Sequence, residues 1–253
     1  MDKSFLLTGK AILITGASSG IGRAVAEECA LMGASVIVTG RNEERLGKVL
    51  SGLPTDDRQR HASVVADLST ESGVLALTSQ LPVLDGVFSN AGMGFRKPIK
   101  FLKDDDLEQV IRTNTFSHVF LMRQLFKKKL LKENASCVFT ASVGGITSFT
   151  PGNSLYGISK AAVESFMKFC AIEFASRQIR CNAVCPGMII TPLTQTDEAV
   201  TAEDMARDAE GYLLKRYGQP EEVARAVCFL LSDASSFIDG TSITIDGGFT
   251  ANH

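Results

Sequence analysis

Along the chain, short runs of β-branched and other apolar residues alternate with longer stretches in which apolar residues recur every three or four positions. The short runs, Ala11 to Thr15, Ser35 to Thr39, Ala62 to Ala66, Gly86 to Ser89, Ser136 to Thr140, Ile179 to Val184 and Ser242 to Ile245, predict seven strands. Several are apolar at almost every position, the pattern of parallel strands covered on both faces. Between them, helical spacing predicts helices near 20–32, 43–51, 70–79, 104–132, 154–176 and 220–231. Strand and helix alternate from end to end without a linker or low-complexity break. The expected fold class is therefore α/β: one domain over 1–253, a doubly wound parallel sheet with helices on both faces and ligands at the carboxyl ends of its strands. The stretch 191–218 interrupts the alternation with Pro192 and a cluster of charges, and is expected to form a substrate lid.

Composition narrows the function classes. With 253 residues, 45% hydrophobic and 21% charged, the chain has the makings of a self-sufficient core. Its 26 basic and 28 acidic residues leave a net charge of −2, so no overall field favours nucleic acid or an anionic membrane. The six cysteines are scattered through apolar runs and are expected to be reduced and buried. With only His61, His118 and His253 to accompany them, no metal site is expected. No run approaches the roughly 18 apolar residues of a membrane span, and Lys10 interrupts the apolar start, so the expected location is cytoplasmic.

The chemistry is concentrated where strands should end. The first strand leads into Thr15-Gly16-Ala17-Ser18-Ser19-Gly20-Ile21-Gly22 and then a helix. Backbone N–H groups at a helix N-terminus, with no Cβ in the way, suit a phosphate or pyrophosphate; the plain alternative is a tight turn. After the second strand, Gly40-Arg41 offers a cation and no acid. A base there accommodates a ribose 2′-phosphate whereas an acid would bind the 2′-hydroxyl, so NADP(H) is preferred over NAD(H) unless Arg41 merely faces solvent. Asp67-Leu68 and Asn90-Ala91-Gly92 follow the third and fourth strands. Tyr156 and Lys160 stand one helical turn apart, and an ammonium beside a phenol favours the phenolate. Ser142, after the fifth strand, can place a hydroxyl beside that phenol.

Taken in order, these motifs resemble the short-chain dehydrogenase/reductase family over nearly the whole chain. Thr15-Gly16-x-x-x-Gly20-x-Gly22 is similar to its cofactor loop, Asn90-Ala91-Gly92 to its sheet-stabilising motif, and Ser142 with Tyr156-x-x-x-Lys160 to its catalytic set. Pro186-Gly187-x-Ile189-x-Thr191 matches its nicotinamide-side segment, and Asn114 its helix asparagine. The resemblance implies a Rossmann fold and an NAD(P)-dependent oxidoreductase moving a hydride between the nicotinamide and a carbonyl or alcohol carbon. Tyr156 would be the general acid in reduction, and Lys160 would lower its pKa and hold the ribose. Ser142 would orient the carbonyl, and Asn114 would anchor a water. Gly16, Ser18, Ser19, Gly20, Ile21, Gly22, Arg41, Asp67, Leu68, Asn90, Ala91, Gly92, Pro186, Gly187, Ile189 and Thr191, with Tyr156 and Lys160, would bind the cofactor. One departure is visible: Ser142 and Tyr156 are fourteen residues apart, about one more than usual, so the loop between them has its own shape.

Within the family the chain resembles 3-oxoacyl-[acyl-carrier-protein] reductase-like members, with a small ketone, sugar or steroid as the alternative substrate and a binding-only sensor as a further one. Lys127, Lys128, Lys129, Lys132 and Arg177 are placed as basic residues near the ends of helices flanking the site, where they would meet acyl carrier protein, or else serve as ordinary helix-end cations. Against that partner, Asp197, Glu198, Glu203, Asp204, Asp208 and Glu210 face only Arg207 between Thr191 and Gly211 of the expected lid. Apolar residues on more than one face of the helices 104–132 and 154–176, among them Phe116, Phe120, Phe126, Phe169 and Phe174, fit the family's homotetramer or a dimer, the plain alternative being a wide contact within the chain.

Overall fold

The apolar runs become one sheet because each is buried from both sides. The computed structural model describes residues 2–195 and 201–252. In chain order the elements are β1 (Ala11–Thr15), α1 (Gly20–Leu31), β2 (Ser35–Gly40), α2 (Glu43–Gly52), β3 (Ala62–Val65), α3 (Glu71–Thr78), β4 (Leu84–Ser89) and α4 (Asp104–Ile111). There follow α5 (Ser117–Lys127), β5 (Leu131–Thr140), α6 (Ser154–Phe174), β6 (Arg180–Pro186), α7 (Pro192–Gln195), α8 (Ala202–Ala209), α9 (Pro220–Leu231) and β7 (Ser242–Ile245). All strand pairs are parallel, in the order β3-β2-β1-β4-β5-β6-β7. The order reverses between β1 and β4, which opens a crevice at their carboxyl ends.

Alternation along the strands feeds two apolar layers. Ile12 and Ile14 of β1, with Val36 and Val38 of β2, pack beneath α1 and α9. Leu13, Ile37, Val87 and Phe139 point the other way, into a layer closed by α3, α5 and α6. Phe126 and Phe174 stack in that second layer at 4.1 Å between ring centroids, which joins α5 to α6.

The predicted helix 104–132 is three pieces. α4 runs into a wide π-helical turn at Arg112–Phe116, and α5 then ends at Lys127. Lys129 takes a left-handed φ of 55° that stops the helix, and β5 starts at Leu131, ahead of the predicted Ser136. Lys132, Glu133 and Asn134 are exposed, and Asn134 also has a positive φ. The register with β4 slips there, so the first half of β5 has no continuous apolar signature.

In the stretch expected to be the lid, α8 carries Glu203, Asp204 and Asp208; Asp197 and Glu198 lie outside the described residues. Asp204 caps α8 through Thr201, and Asp208 accepts the Tyr217 hydroxyl at 2.8 Å. Tyr212 packs against both Tyr217 and Phe249, which ties the base of this segment to the C-terminal residues.

Candidate active site

The glycine loop after β1 is held by contacts only glycine permits. Gly16 and Gly20 have φ of 63° and 54°, and a Cβ on Gly22 would lie 2.3 Å from the Gly16 carbonyl oxygen. The loop therefore folds tightly onto the first turn of α1 and leaves its N–H groups facing the crevice. Ser19 is the N-cap of α1 but makes no side-chain cap bond. Ile21 packs its side chain toward the α1 and α9 layer. Gly20 lies against Thr191, whose methyl carbon would be 3.2 Å from a Cβ there, so the segment after β6 reaches the glycine loop.

Across the reversal point, Asn90 ties three strands together. Its N–H and that of Ala91 donate to the Thr15 hydroxyl at 2.8 and 2.9 Å, and its amide donates to the Thr15 carbonyl at 3.1 Å. Its amide oxygen accepts from the Thr140 hydroxyl at 3.0 Å. Between the loops after β1, β2, β3 and β4 lies a cleft of about 230 Å³, lined by Gly16, Ser18, Ser19, Arg41, Arg45, Asp67, Leu68 and Gly92 among others. Arg45, one turn beyond Arg41 on α2, was not singled out by the sequence; its spacing from Arg41 is the signal that could have found it. The Asp67 carboxylate is turned onto its own loop, accepting from the Ser69 N–H and hydroxyl.

Beside this cleft, β5 and α6 bring the titratable groups together. Lys160 is buried and donates to the Thr140 carbonyl at 2.8 Å. Desolvation holds its ammonium down, to about 8. Its nitrogen stands 5.9 Å from the centre of the Tyr156 ring. Tyr156 accepts a hydrogen bond from Ser142, yet burial outweighs it and raises the phenol above its ordinary value. That corrects the expected lowering by Lys160: at this separation the ammonium does not offset the desolvation of a phenolate. Ser142 also accepts the Gly144 N–H at 3.0 Å, and Val143 donates to the Pro186 carbonyl, which sets Pro186-Gly187 beside the serine. Ile189 and Thr191 continue that segment as buried residues.

Asn114 sits in the π-helical turn and is fully buried. Its oxygen accepts the Met93 N–H at 2.7 Å and its amide donates to the Met93 carbonyl and the Ser159 hydroxyl. The side chain thus fixes the chain after Gly92 against α6. Both side-chain polar atoms of Asn114, expected to anchor a water, are engaged in these bonds.

Comparison with known proteins agrees with this geometry. A family model described as enoyl-(acyl carrier protein) reductase matches residues 16–250. A 3-oxoacyl-[acyl-carrier-protein] reductase of Rickettsia felis is 36% identical, covering 96% of this chain and 97% of its own. A 3beta-hydroxysteroid dehydrogenase of Mediterraneibacter gnavus is 35% identical, over 95% of each. The crystal structure of a short chain dehydrogenase from Burkholderia cenocepacia in complex with NADP superposes with a TM-score of 0.88 at 29% identity, covering 96% of this chain and 98% of that one. This chain belongs to the short-chain dehydrogenase/reductase family. It is an NAD(P)-dependent oxidoreductase of alcohol and carbonyl groups.

For a dehydrogenase/reductase, the cleft fits a dinucleotide on its own evidence: a glycine cradle that a Cβ would fill, and two guanidinium groups at the far end. Two further residues escaped the sequence reading. Asn153, the N-cap of α6, makes no side-chain cap bond, and its amide nitrogen would lie 3.2 Å from a Cβ on Gly144, beside Ser142. His118 is buried behind the cleft with Nδ1 2.6 Å from the Ser89 hydroxyl. Neither belongs to a local motif, since both are placed by contacts distant in sequence.

The basic cluster is a correction. Lys127, Lys128, Lys129, Lys132 and Arg177 gather at the N-terminal end of β5, where Lys132 pairs with Asp85 and Arg177 donates to the Leu131 carbonyl. At about 3.3 Å per residue, the ten residues of β5 put them about 30 Å from Ser142 within the chain. They do not flank its active site. The strands run parallel, so helix C-termini fall at the opposite edge from strand C-termini.

Proposed function

We propose that this enzyme reduces a ketone with NADPH, with Tyr156 as proton donor. The observation that carries the reading is the convergence of Ser142, Tyr156 and buried Lys160 beside the glycine-cradled cleft. The bound cofactor supplies the hydride. Ser142 orients the carbonyl oxygen, and Tyr156, kept protonated by its burial, gives that oxygen its proton. Lys160, tethered to the Thr140 carbonyl, keeps a positive charge behind the phenol, and Asn114 holds the wall formed by Met93. Arg41 and Arg45 face the position of a 2′-phosphate, with Ser18 beside Gly40, and the cleft lining includes no acid on α2 to oppose it.

The substrate reading is a 3-oxoacyl thioester first, after the named activity of the rickettsial relative, and a steroid or other apolar ketone second. Phe149, 79% exposed, and Met188, 38% exposed, stand next to residues of the site and favour an apolar body in either case. Acyl carrier protein gains no support from the basic cluster, which sits at the far end of the sheet. The described parts of the expected lid, 191–195 and 201–218, serve as the substrate lid.

We also propose a homotetramer. Ile158, Phe169 and Ile172 on α6 and Phe116 beside α5 are 43% exposed or more, and Phe237 is fully exposed before β7. Those two surfaces would supply two interfaces.

The test is NADPH oxidation with acetoacetyl-CoA and with a 3-oxosteroid, run beside NADH. Turnover at least about tenfold better with NADPH, with that preference lost in Arg41→Ala/Arg45→Ala, is expected from two charge-assisted phosphate contacts. NADPH binding without oxidation by any ketone would leave a sensor instead.

A further inference from the structure

An exposed cation lies against the loop that carries Ser142, with nothing to bind. Arg96 is exposed, and among the described residues its guanidinium makes no hydrogen bond or ion pair. Its neighbour Lys97 is neutralised by Asp106. Of the other arginines, Arg41, Arg45 and Arg225 likewise make no guanidinium hydrogen bond or ion pair among the described residues; the first two line the cofactor cleft, and Arg225 lies away from it on α9.

The backbone around Arg96 is fixed on both sides. Met93 is held by the Asn114 amide, and the Lys97 N–H donates to the Gly152 carbonyl at 2.7 Å. Gly152 has a φ of 83°, and the Arg96 stem lies over it, its Cγ 3.3 Å from where a Cβ would be. The next residue is Asn153, whose amide reaches the Gly144 turn beside Ser142. Arg96 is therefore anchored to the same loop that carries the carbonyl-orienting serine. Exposed on that loop are Thr147, Phe149, Thr150 and Pro151, of which Phe149, following the Ser148 bridge to Gly144, is the large apolar one.

We propose that Arg96 is a specificity-determining residue that binds an anionic group, carboxylate or phosphate, at the end of the substrate remote from its ketone. This rests on the ketone-reductase reading and names the class of ketone. Phe149 and Met188 receive the apolar body, Ser142 and Tyr156 the carbonyl, and Arg96 the charged end. A planar guanidinium held on a fixed backbone suits bidentate recognition of either anion.

Two matched pairs separate the sources of negative charge. Acetoacetyl-CoA is compared with acetoacetyl-N-acetylcysteamine, which lacks the phosphates, and 7-oxooctanoate with its methyl ester. The wild type should prefer the charged member of at least one pair by about 10- to 100-fold in kcat/KM, mostly through KM, the range for one charge-assisted contact. In Arg96→Ala the charged member should fall to the level of its neutral partner, and Arg96→Lys should restore part of the gap. Whichever pair responds identifies phosphate or carboxylate. Equal use within both pairs by the wild type, or equal losses on both members in Arg96→Ala, would overturn the proposal. The same four compounds are titrated calorimetrically into the NADPH-loaded protein. If none is turned over, the reductase reading fails on its own, while an anion preference in binding that Arg96→Ala removes still upholds Arg96, and its absence refutes it.

Discussion

Lys160 and His118 are two bases that the fold buries, and both answer to pH with the sign of a depressed pKa. Burial brings Lys160 from 10.5 to about 8, so the group is charged in the folded protein only below that pH. The NADPH-dependent reduction rate should be level near neutrality and fall as pH rises through about 8, while Tyr156, raised by its own burial, stays protonated. A pH–rate profile flat to pH 10 would remove the Lys160 charge from the reaction. His118 is desolvated and opposed by the Lys160 charge, with the Ala91 backbone pulling the other way, and drops from 6.5 to about 3. Between those values the unfolded chain binds a proton that the folded chain refuses, so stability is lost as pH falls below 6.5. The loss from this group alone reaches about 3 kcal/mol by pH 4. Urea midpoints at pH 7 and pH 4 should therefore lie closer together in His118→Gln than in the wild type; an unchanged gap would show that another group governs acid sensitivity.

Among the elements, the loop between β5 and α6 decides where Ser142 stands. Three successive N–H groups, of Ile146, Thr147 and Ser148, donate to the Val143 carbonyl, so the longer spacing to Tyr156 is absorbed in a compact turn. Gly145, with φ of 98°, presses on α6 so closely that a Cβ would lie 2.3 Å from the Gly157 carbonyl oxygen. Gly145→Ala must push this loop off α6, one residue from Tyr156. It should cost about 1–3 kcal/mol of stability and, by shifting Ser142, lower kcat by about 100-fold with little change in NADPH affinity. Equal effects on kcat and on cofactor binding would place the strain elsewhere. The same loop shows how far the sequence carries. Its strand ends, its glycines and the Tyr156 to Lys160 spacing were readable because local backbone chemistry demands particular residues there. Asn153 and the Asn114 contacts were not, because their partners come from other elements, and Arg45 carried only its spacing from Arg41. The first half of β5 was hidden by exposed polar residues around a slipped register, and the π-helical turn at Asn114 left no mark in a continuous helical pattern.

For the whole molecule, a net charge of −2 gives little long-range steering, so recognition falls to local groups such as Arg41, Arg45 and Arg96. No helix among the described residues is long and apolar enough to cross a membrane. If the proposed homotetramer packs through α6, Phe169→Glu/Ile172→Glu should give smaller species by light scattering, whereas an unchanged mass would remove α6 from the interfaces. In the proposed reaction Tyr156 gives the proton, and the cofactor binds independently of it. The direct measurement is NADPH binding and ketone-dependent NADPH oxidation in Tyr156→Phe beside the wild type. NADPH affinity should be unchanged and turnover should fall by about 100- to 10,000-fold, the span of a lost general acid. Turnover within a few-fold of wild type would contradict the account.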